Sequence, residues 1–184
     1  MGKEVVVVMP CERAAAAEVR PTPALMGAMM GRMELRLATS ADVAAVDALV
    51  QRAFAVYVPR MGCRPAPMDE DYAALAAAGS VWVLDAGGGA IVGCVVLTEA
   101  PGALLVDDLA VEPERQGAGL GRRLLEHAEA RARVLGLPEL QLYTNEKMVE
   151  NQAIYPRLGW TETDRATSRS GFRRVHYRKP TPPA

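Results

Sequence analysis

Three glycines at alternate positions, Gly117, Gly119 and Gly121, stand between a strand pattern and a helix pattern. Strand-forming residues precede them from Leu104 to Val111, and apolar residues at helical spacing follow as far as Leu135. Glycine lets the backbone approach an anion closely and adopt positive φ. The first amides of a helix have no partner within the helix, and the helix dipole favours negative charge beside them. The turn therefore predicts an anion site, for which a pyrophosphate is the natural occupant.

Two common phosphate-binding turns do not fit this sequence. The P-loop requires Lys and then Ser or Thr after its second glycine, whereas Arg122 and Arg123 follow Gly121. The dinucleotide-binding fingerprint has the spacing G-x-G-x-x-G, whereas the spacing here is G-x-G-x-G. The turn is thus neither a P-loop nor a dinucleotide-binding fingerprint.

The turn resembles the acetyl-CoA motif of the GCN5-related N-acetyltransferase (GNAT) superfamily, Gln/Arg-x-x-Gly-x-Gly/Ala. Gln116, Gly119 and Gly121 occupy its defined positions. The context is similar as well, since an apolar triplet followed by Glu112-Pro113 ends the strand before the turn. The resemblance extends over residues 33–179 and is most specific at 107–125.

This resemblance implies an α/β (α+β) GNAT fold. Its central sheet is mixed but mostly antiparallel, with six to seven strands, flanking helices and a splay between strands 4 and 5. The hydrophobic pattern of the chain gives the order β-α-α-β-β-β-α-β-α-β-β. It predicts a loop at 57–67, a helix at 69–78, and a helix at 147–158 that Pro156 should kink or end. We expect residues 1–32 to be a flexible N-terminal extension and residues 33–184 to form the N-acetyltransferase domain.

The resemblance further implies acetyl-CoA as co-substrate and no metal. The splayed strand is expected to pair with the pantetheine arm as an added strand would. The implied cofactor-binding residues come from this strand, the turn and the region after the fifth strand: Leu109, Ala110, Val111, Gln116, Gly117, Ala118, Gly119, Leu120, Gly121, Arg122, Asn145 and Asn151. Asn145 and Asn151 are alternatives for one cofactor-contacting amide, because the family's usual asparagine position holds Met148 here.

Two residues are the candidates for proton transfer. The leaving thiolate needs a proton, and a tyrosine can donate or share it, since its pKa of about 10 lies above that of a thiol near 8.5. Tyr155 stands where the family often places such a tyrosine, shortly before Gly159-Trp160. For the base, the polyamine acetyltransferases of the superfamily have two adjacent acids like Asp107 and Asp108, which implies Asp107. A water-mediated route and Glu99 on the neighbouring strand are the alternatives.

We therefore expect an N-acetyltransferase that acts directly on a primary amine of a small molecule or a peptide. The alternative is a non-catalytic module that binds or senses acyl-CoA. The loop from Tyr57 to Asp71 is expected to contribute to the acceptor pocket, with Arg60 or Arg64 able to hold a carboxylate. Small amines, amino acids, peptide N-termini and lysines all remain open as acceptors.

Composition restricts the partners. The net charge is -1, which gives no electrostatic argument for nucleic acid. No apolar run approaches the ~20 residues that cross a bilayer. The three cysteines are scattered and form no CxxC pair, which fits a reducing compartment, so we expect a cytoplasmic protein. Strand exchange between C-terminal hairpins is common in GNAT folds, which favours a homodimer.

Overall fold

The computed structural model describes residues 6–7, 33–168 and 171–181. Its strands are β1 (Val6–Val7), β2 (Glu34–Leu37), β3 (Val81–Asp85), β4 (Ile91–Ala100), β5 (Ala103–Val111), β6 (Glu139–Asn145), β7 (Thr161–Thr167) and β8 (Arg173–Pro180). Its helices are α1 (Val43–Phe54), α2 (Val58–Met61), α3 (Tyr72–Ala77), α4 (Leu120–Val134) and α5 (Val149–Ile154). In the described residues the strands form one sheet in the order β2-β3-β4-β5-β6-β8-β7, with β1 beside β5.

The sheet confirms the expected fold. Strands β2 to β8 are the seven strands of the domain, and all their pairings are antiparallel except that of β5 with β6. Strands β5 and β6 are the fourth and fifth strands of the domain. They pair only from Ala103 to Leu105 on β5, opposite 139–141 on β6, so the two strands splay beyond Leu105.

Helices cover the two faces of the sheet. One face packs on α4 through a core that includes Leu104, Val106, Leu109 and Leu124. The other face packs on α1 through Val50 and its neighbours. The apolar periodicity of α4 places its leucines and alanines toward the sheet, and the helix ends just before Gly136, whose φ is 68°.

Local polar contacts fix where α1 begins. Thr39 and Asp42 form a capping box ahead of the helix, and the Thr39 amide donates to Asp42 Oδ2 at 2.8 Å. Arg36 on β2 donates to Asp42 Oδ2 and to Asp85 Oδ2 on β3, each at 2.8 Å. These hydrogen bonds from Arg36 hold the pKa of Asp42 well below its usual range. The charges thus join β2, β3 and the start of α1.

The structure corrects three boundaries that the pattern predicted. Residues 57–67, predicted as a loop, contain α2 and the start of a 3-10 turn. The helix predicted at 69–78 begins at Tyr72, because Asp71 accepts from the Ala74 amide at 3.0 Å and caps it. The helix predicted at 147–158 begins later, as α5, and a 3-10 turn replaces it at Pro156, where the pattern predicted that proline would kink or end it.

Strand β1 is the feature that the pattern did not predict. It pairs with β5 in parallel, with Val6 opposite Asp108 and Val7 opposite Leu109. The predicted flexible extension at 1–32 otherwise lies outside the described residues. Within the described part of the chain, no helix is long and apolar enough to cross a bilayer.

Candidate active site

The glycine-rich turn forms a cradle at the N-terminus of α4. Gly117 and Gly119 have φ of 83° and 81°, in the left-handed region that favours glycine. The Arg123 amide donates to Gly119 O at 3.1 Å and so joins the helix ladder. The amides of Leu120 and Gly121 come before this first bond and, with the helix dipole, create a positive potential at the turn. An anion such as a pyrophosphate fits this potential.

The side chains around the cradle divide into two groups. Gln116 turns inward, and its Nε2 donates to Val111 O at 3.2 Å, which ties the turn to the end of β5. Arg122 is exposed and its Nε donates to Glu126 Oε1 at 2.8 Å, while Arg123 donates to Met33 O at 2.7 Å. The positive potential of the turn therefore comes mainly from its backbone amides, and Arg122 lies at the edge of the cradle.

The middle of β5 carries a bulge at the predicted base. Val96 on β4 faces Asp108, and Leu97 faces Val106, so Asp107 is the additional residue. The bulge bends β5 at the point where it leaves β6. Beyond it, Leu109, Ala110 and Val111 are fully buried. These three residues remain paired with β4, and their other backbone edge faces the gap between β5 and β6.

The predicted proton donor, Tyr155, is fully buried at the C-terminal end of α5. Its ring lies 4.9 Å from the ring of Tyr177 and 6.1 Å from that of Trp160, measured between centroids. Burial raises the pKa of Tyr155 well above the ordinary value, and Tyr57 and Tyr177 raise it further. The phenol therefore keeps its proton throughout the physiological range.

The acids at the bulge meet a tyrosine that sequence reasoning missed as a site residue. Asp107 and Asp108 are 8% and 3% exposed. The Tyr72 hydroxyl on α3 lies 3.2 Å from Asp108 Oδ2 and 3.1 Å from Pro67 O. Burial, followed by the charge of Asp108, raises the pKa of Tyr72, so its hydroxyl stays protonated. The position after the Asp71 cap was the only sequence signal, and it does not show what the side chain contacts.

Tyr57 begins the segment that is predicted to contribute to the acceptor pocket. It is buried between α1 and α2, and it contributes, after burial, to the raised pKa of Tyr155. The guanidinium of Arg60 lies 5.5 Å from the centroid of the Tyr57 ring. Arg60 also pairs with Glu150 on α5, so α2 is tied to the helix that leads to Tyr155.

The two candidate asparagines have internal hydrogen bonds. Asn145 Oδ1 accepts from the Lys147 amide at 2.9 Å at the end of β6. Asn151 is fully buried, and its Nδ2 donates to Thr144 Oγ1 at 3.3 Å. Both amides thus shape the connection between β6 and α5. The contact of either amide with a cofactor stays a prediction.

Other predicted side chains lie farther from the bulge or are engaged elsewhere. Glu99 is exposed and faces Leu104, close to the β4–β5 turn. Arg64 donates to Asp69 Oδ1 at 2.9 Å on the surface. Among the described residues, no group of three or more His, Cys, Asp or Glu side chains is arranged to hold a metal ion.

Comparison with known proteins agrees with this geometry. Residues 77–162, which span β3 to the start of β7, match the model of the acetyltransferase (GNAT) domain. This chain carries a GNAT acetyltransferase domain. Over 58 residues it is 47% identical to an amino-acid acetyltransferase of Ralstonia nicotianae. That match covers 30% of this chain and 13% of the relative, so the chain spans only a small part of that enzyme.

Solved structures show the same fold over most of the domain. The ribosomal-protein-S18-alanine N-acetyltransferase of Escherichia coli superposes with a TM-score of 0.60 at 19% identity, over 82% of this chain and 95% of that one. The PaiA N-acetyltransferase of Thermoplasma acidophilum, in complex with coenzyme A, gives a TM-score of 0.66 at 14% identity. The match covers 80% of this chain and 98% of that one. At such identities the likeness establishes the GNAT fold.

Proposed function

We propose that this GNAT domain is an acetyl-CoA-dependent N-acetyltransferase acting on a primary amine of a small molecule or a peptide. One arrangement carries the proposal. The glycine cradle continues along the edge of β5 that faces away from β4 to a bulge, where two buried acids lie at the start of the gap that the splay creates. Strand β1 pairs with part of this edge, at Asp108 and Leu109. A ligand with an anionic head and an extended polar arm is complementary to this shape.

Acetyl-CoA has such a head and arm, and supplies an activated acetyl group as a thioester. In the proposed complex the amides at the start of α4 hold its pyrophosphate. The backbone of Leu109 and Val111 hydrogen-bonds the pantetheine arm as a neighbouring strand would. The thioester then lies near the bulge, because the part of β5 that has separated from β6 begins there.

The residues at the bulge are proposed to manage the protons of the reaction. The acceptor nitrogen must lose a proton before it attacks the acetyl carbon, and Asp107 takes that proton. The carbon–sulfur bond then breaks and leaves a thiolate. Because its pKa is raised, Tyr155 keeps its proton and stabilises the thiolate by donating a hydrogen bond to the sulfur.

The names of the relatives support an amine acceptor. One is an amino-acid acetyltransferase and another is a ribosomal-protein alanine N-acetyltransferase. Amino acids and peptide N-termini are therefore the first compounds to test, followed by lysine side chains and small amines.

The decisive experiment measures release of free thiol from acetyl-CoA in the presence of each amine. We expect at least one amine to be acetylated on nitrogen, with the product identified by mass spectrometry. Binding of acetyl-CoA without thiol release across the panel would instead identify a sensing module. Tyr155→Phe should lower kcat by about 100-fold, as expected when one hydrogen-bond donor to a developing charge is lost. Tyr177→Phe, which removes a neighbouring buried phenol, is the matched control and should retain most of the activity.

A further inference from the structure

The gap between β5 and β6 contains a strand of the chain itself. The two strands pair as far as Leu105 and then diverge. Beyond the bulge β1 takes the place of β6, with Val6 opposite Asp108 and Val7 opposite Leu109. Strand β1 also lies against β6, so it bridges both walls of the gap. The gap is therefore a binding site for an extended polypeptide backbone.

This site overlaps the track proposed for pantetheine, and the inference rests on that proposed function. An inner strand pairs along two edges, and β5 already uses one edge for β4. The remaining edge near Leu109 can pair with β1 or with a ligand arm, but not with both at once. In the same structure Tyr155, which is predicted to act on the thioester, is fully buried. A transferase needs this group to be reachable during turnover.

We propose that β1 is an intramolecular competitor of acetyl-CoA, which occupies the cofactor gap in the free protein and leaves it when the cofactor binds. The competitor is covalently attached, so it is present at a constant effective concentration whatever the protein concentration. Its effect is to reduce the fraction of molecules that can bind the cofactor.

The expected size of the effect follows from that fraction. The apparent Kd equals the intrinsic Kd divided by the fraction of competent molecules. If β1 is in the gap for roughly two thirds to nine tenths of the time, release of β1 tightens binding by about 3- to 10-fold. A two-residue strand makes few hydrogen bonds, so a much larger effect is not expected.

The test uses the whole chain with Val6→Pro and Val7→Pro combined. Proline has no amide hydrogen, so this double variant removes both backbone amide donors of β1. By calorimetry, it should bind acetyl-CoA about 3- to 10-fold more tightly than the wild type. KM for acetyl-CoA should fall by the same factor with kcat unchanged. The matched control, Val6→Ile with Val7→Ile, keeps both amides and should stay within about 2-fold of the wild type.

Each outcome decides the proposal. Equal Kd for the wild type and the proline variant would overturn it. Absence of acetyl-CoA binding in both proteins would overturn it together with the proposed function, whereas binding by the proline variant alone would support it. Lack of turnover with normal binding would affect the proposed function only.

Hydrogen exchange of the wild type supplies a second measurement that needs no variant. Addition of acetyl-CoA should accelerate exchange of the amides of Val6 and Val7, because the cofactor releases β1 from β5. Unchanged or slower exchange of these amides on binding would contradict the competition.

Discussion

The glycine turn is the proposed donor side of the site and the bulge of β5 is its proposed acceptor side, and the two are built from different kinds of group. The donor side is the glycine turn, in which neighbouring residues supply backbone amides and two left-handed conformations. The acceptor side brings together Tyr72 and the acids of the bulge, which come from separate parts of the chain. The difference teaches that a site made of contiguous backbone can be recognised from adjacent residues in the sequence, whereas a site made of packed side chains from distant segments cannot.

The largest expected effect tests whether the acceptor side performs chemistry. Asp107→Asn should lower kcat by about 100-fold with little change in acetyl-CoA affinity, since it removes the proposed base and leaves the backbone in place. The measurement is steady-state kinetics with a saturating amine across a range of pH. Glu99→Gln, an exposed acid on the neighbouring strand, is the matched control and should keep full activity. Normal turnover by the Asp107 variant would favour a water-mediated route.

A smaller effect is expected on the donor side and should appear in binding rather than in kcat. Gly119→Val would strain the cradle, because φ at this position is 81° and residues with a side chain avoid the left-handed region. We expect Kd for acetyl-CoA to rise by about 10-fold, equivalent to about 1.4 kcal/mol. Gly102→Val is the control, since its φ of 77° imposes the same strain in the β4–β5 turn. If both variants bind equally well, the cradle does not hold the cofactor.

The smallest effect concerns the contact between α3 and the bulge. Tyr72→Phe removes a hydroxyl 3.2 Å from Asp108 and should raise KM for the amine by about 3-fold. The free energy of unfolding should fall by about 1 kcal/mol, as for the loss of one buried hydrogen bond. Kinetics and denaturant unfolding measure the two changes separately. A change in acetyl-CoA affinity instead of amine KM would assign Tyr72 to the donor side.

Much of the fold could be predicted from local pattern. The strands, the long helix α4 and the splay follow from hydrophobic periodicity, glycine turns and the resemblance of the motif. The boundaries that failed depend on single contacts, such as the Asp71 cap that begins α3 and the short helix α2 within the predicted loop. These contacts decide between conformations of similar energy, which periodicity does not distinguish.

The candidate site could be predicted only in part. The positive φ of Gly117 and Gly119 was predictable, because backbone geometry is encoded by residue type at adjacent positions. The contact of Tyr72 with Asp108 was not, because it joins segments far apart in the chain. The alternation of apolar and polar residues could not show the bulge at Asp107, because a bulge is defined by how the strand pairs with its neighbour, here β4.

By itself, the sequence determined the glycine turn and most of the order of strands and helices, since both depend on short-range patterns of glycine and apolar residues. Its resemblance to the family motif then indicated the GNAT fold. The tertiary structure alone decided that Asp108 meets Tyr72, that Tyr155 lies fully buried beside Tyr177, and that β1 lies in the gap between β5 and β6. Burial and long-range strand pairing are properties of the packed chain, because they depend on which distant residues exclude water from one another.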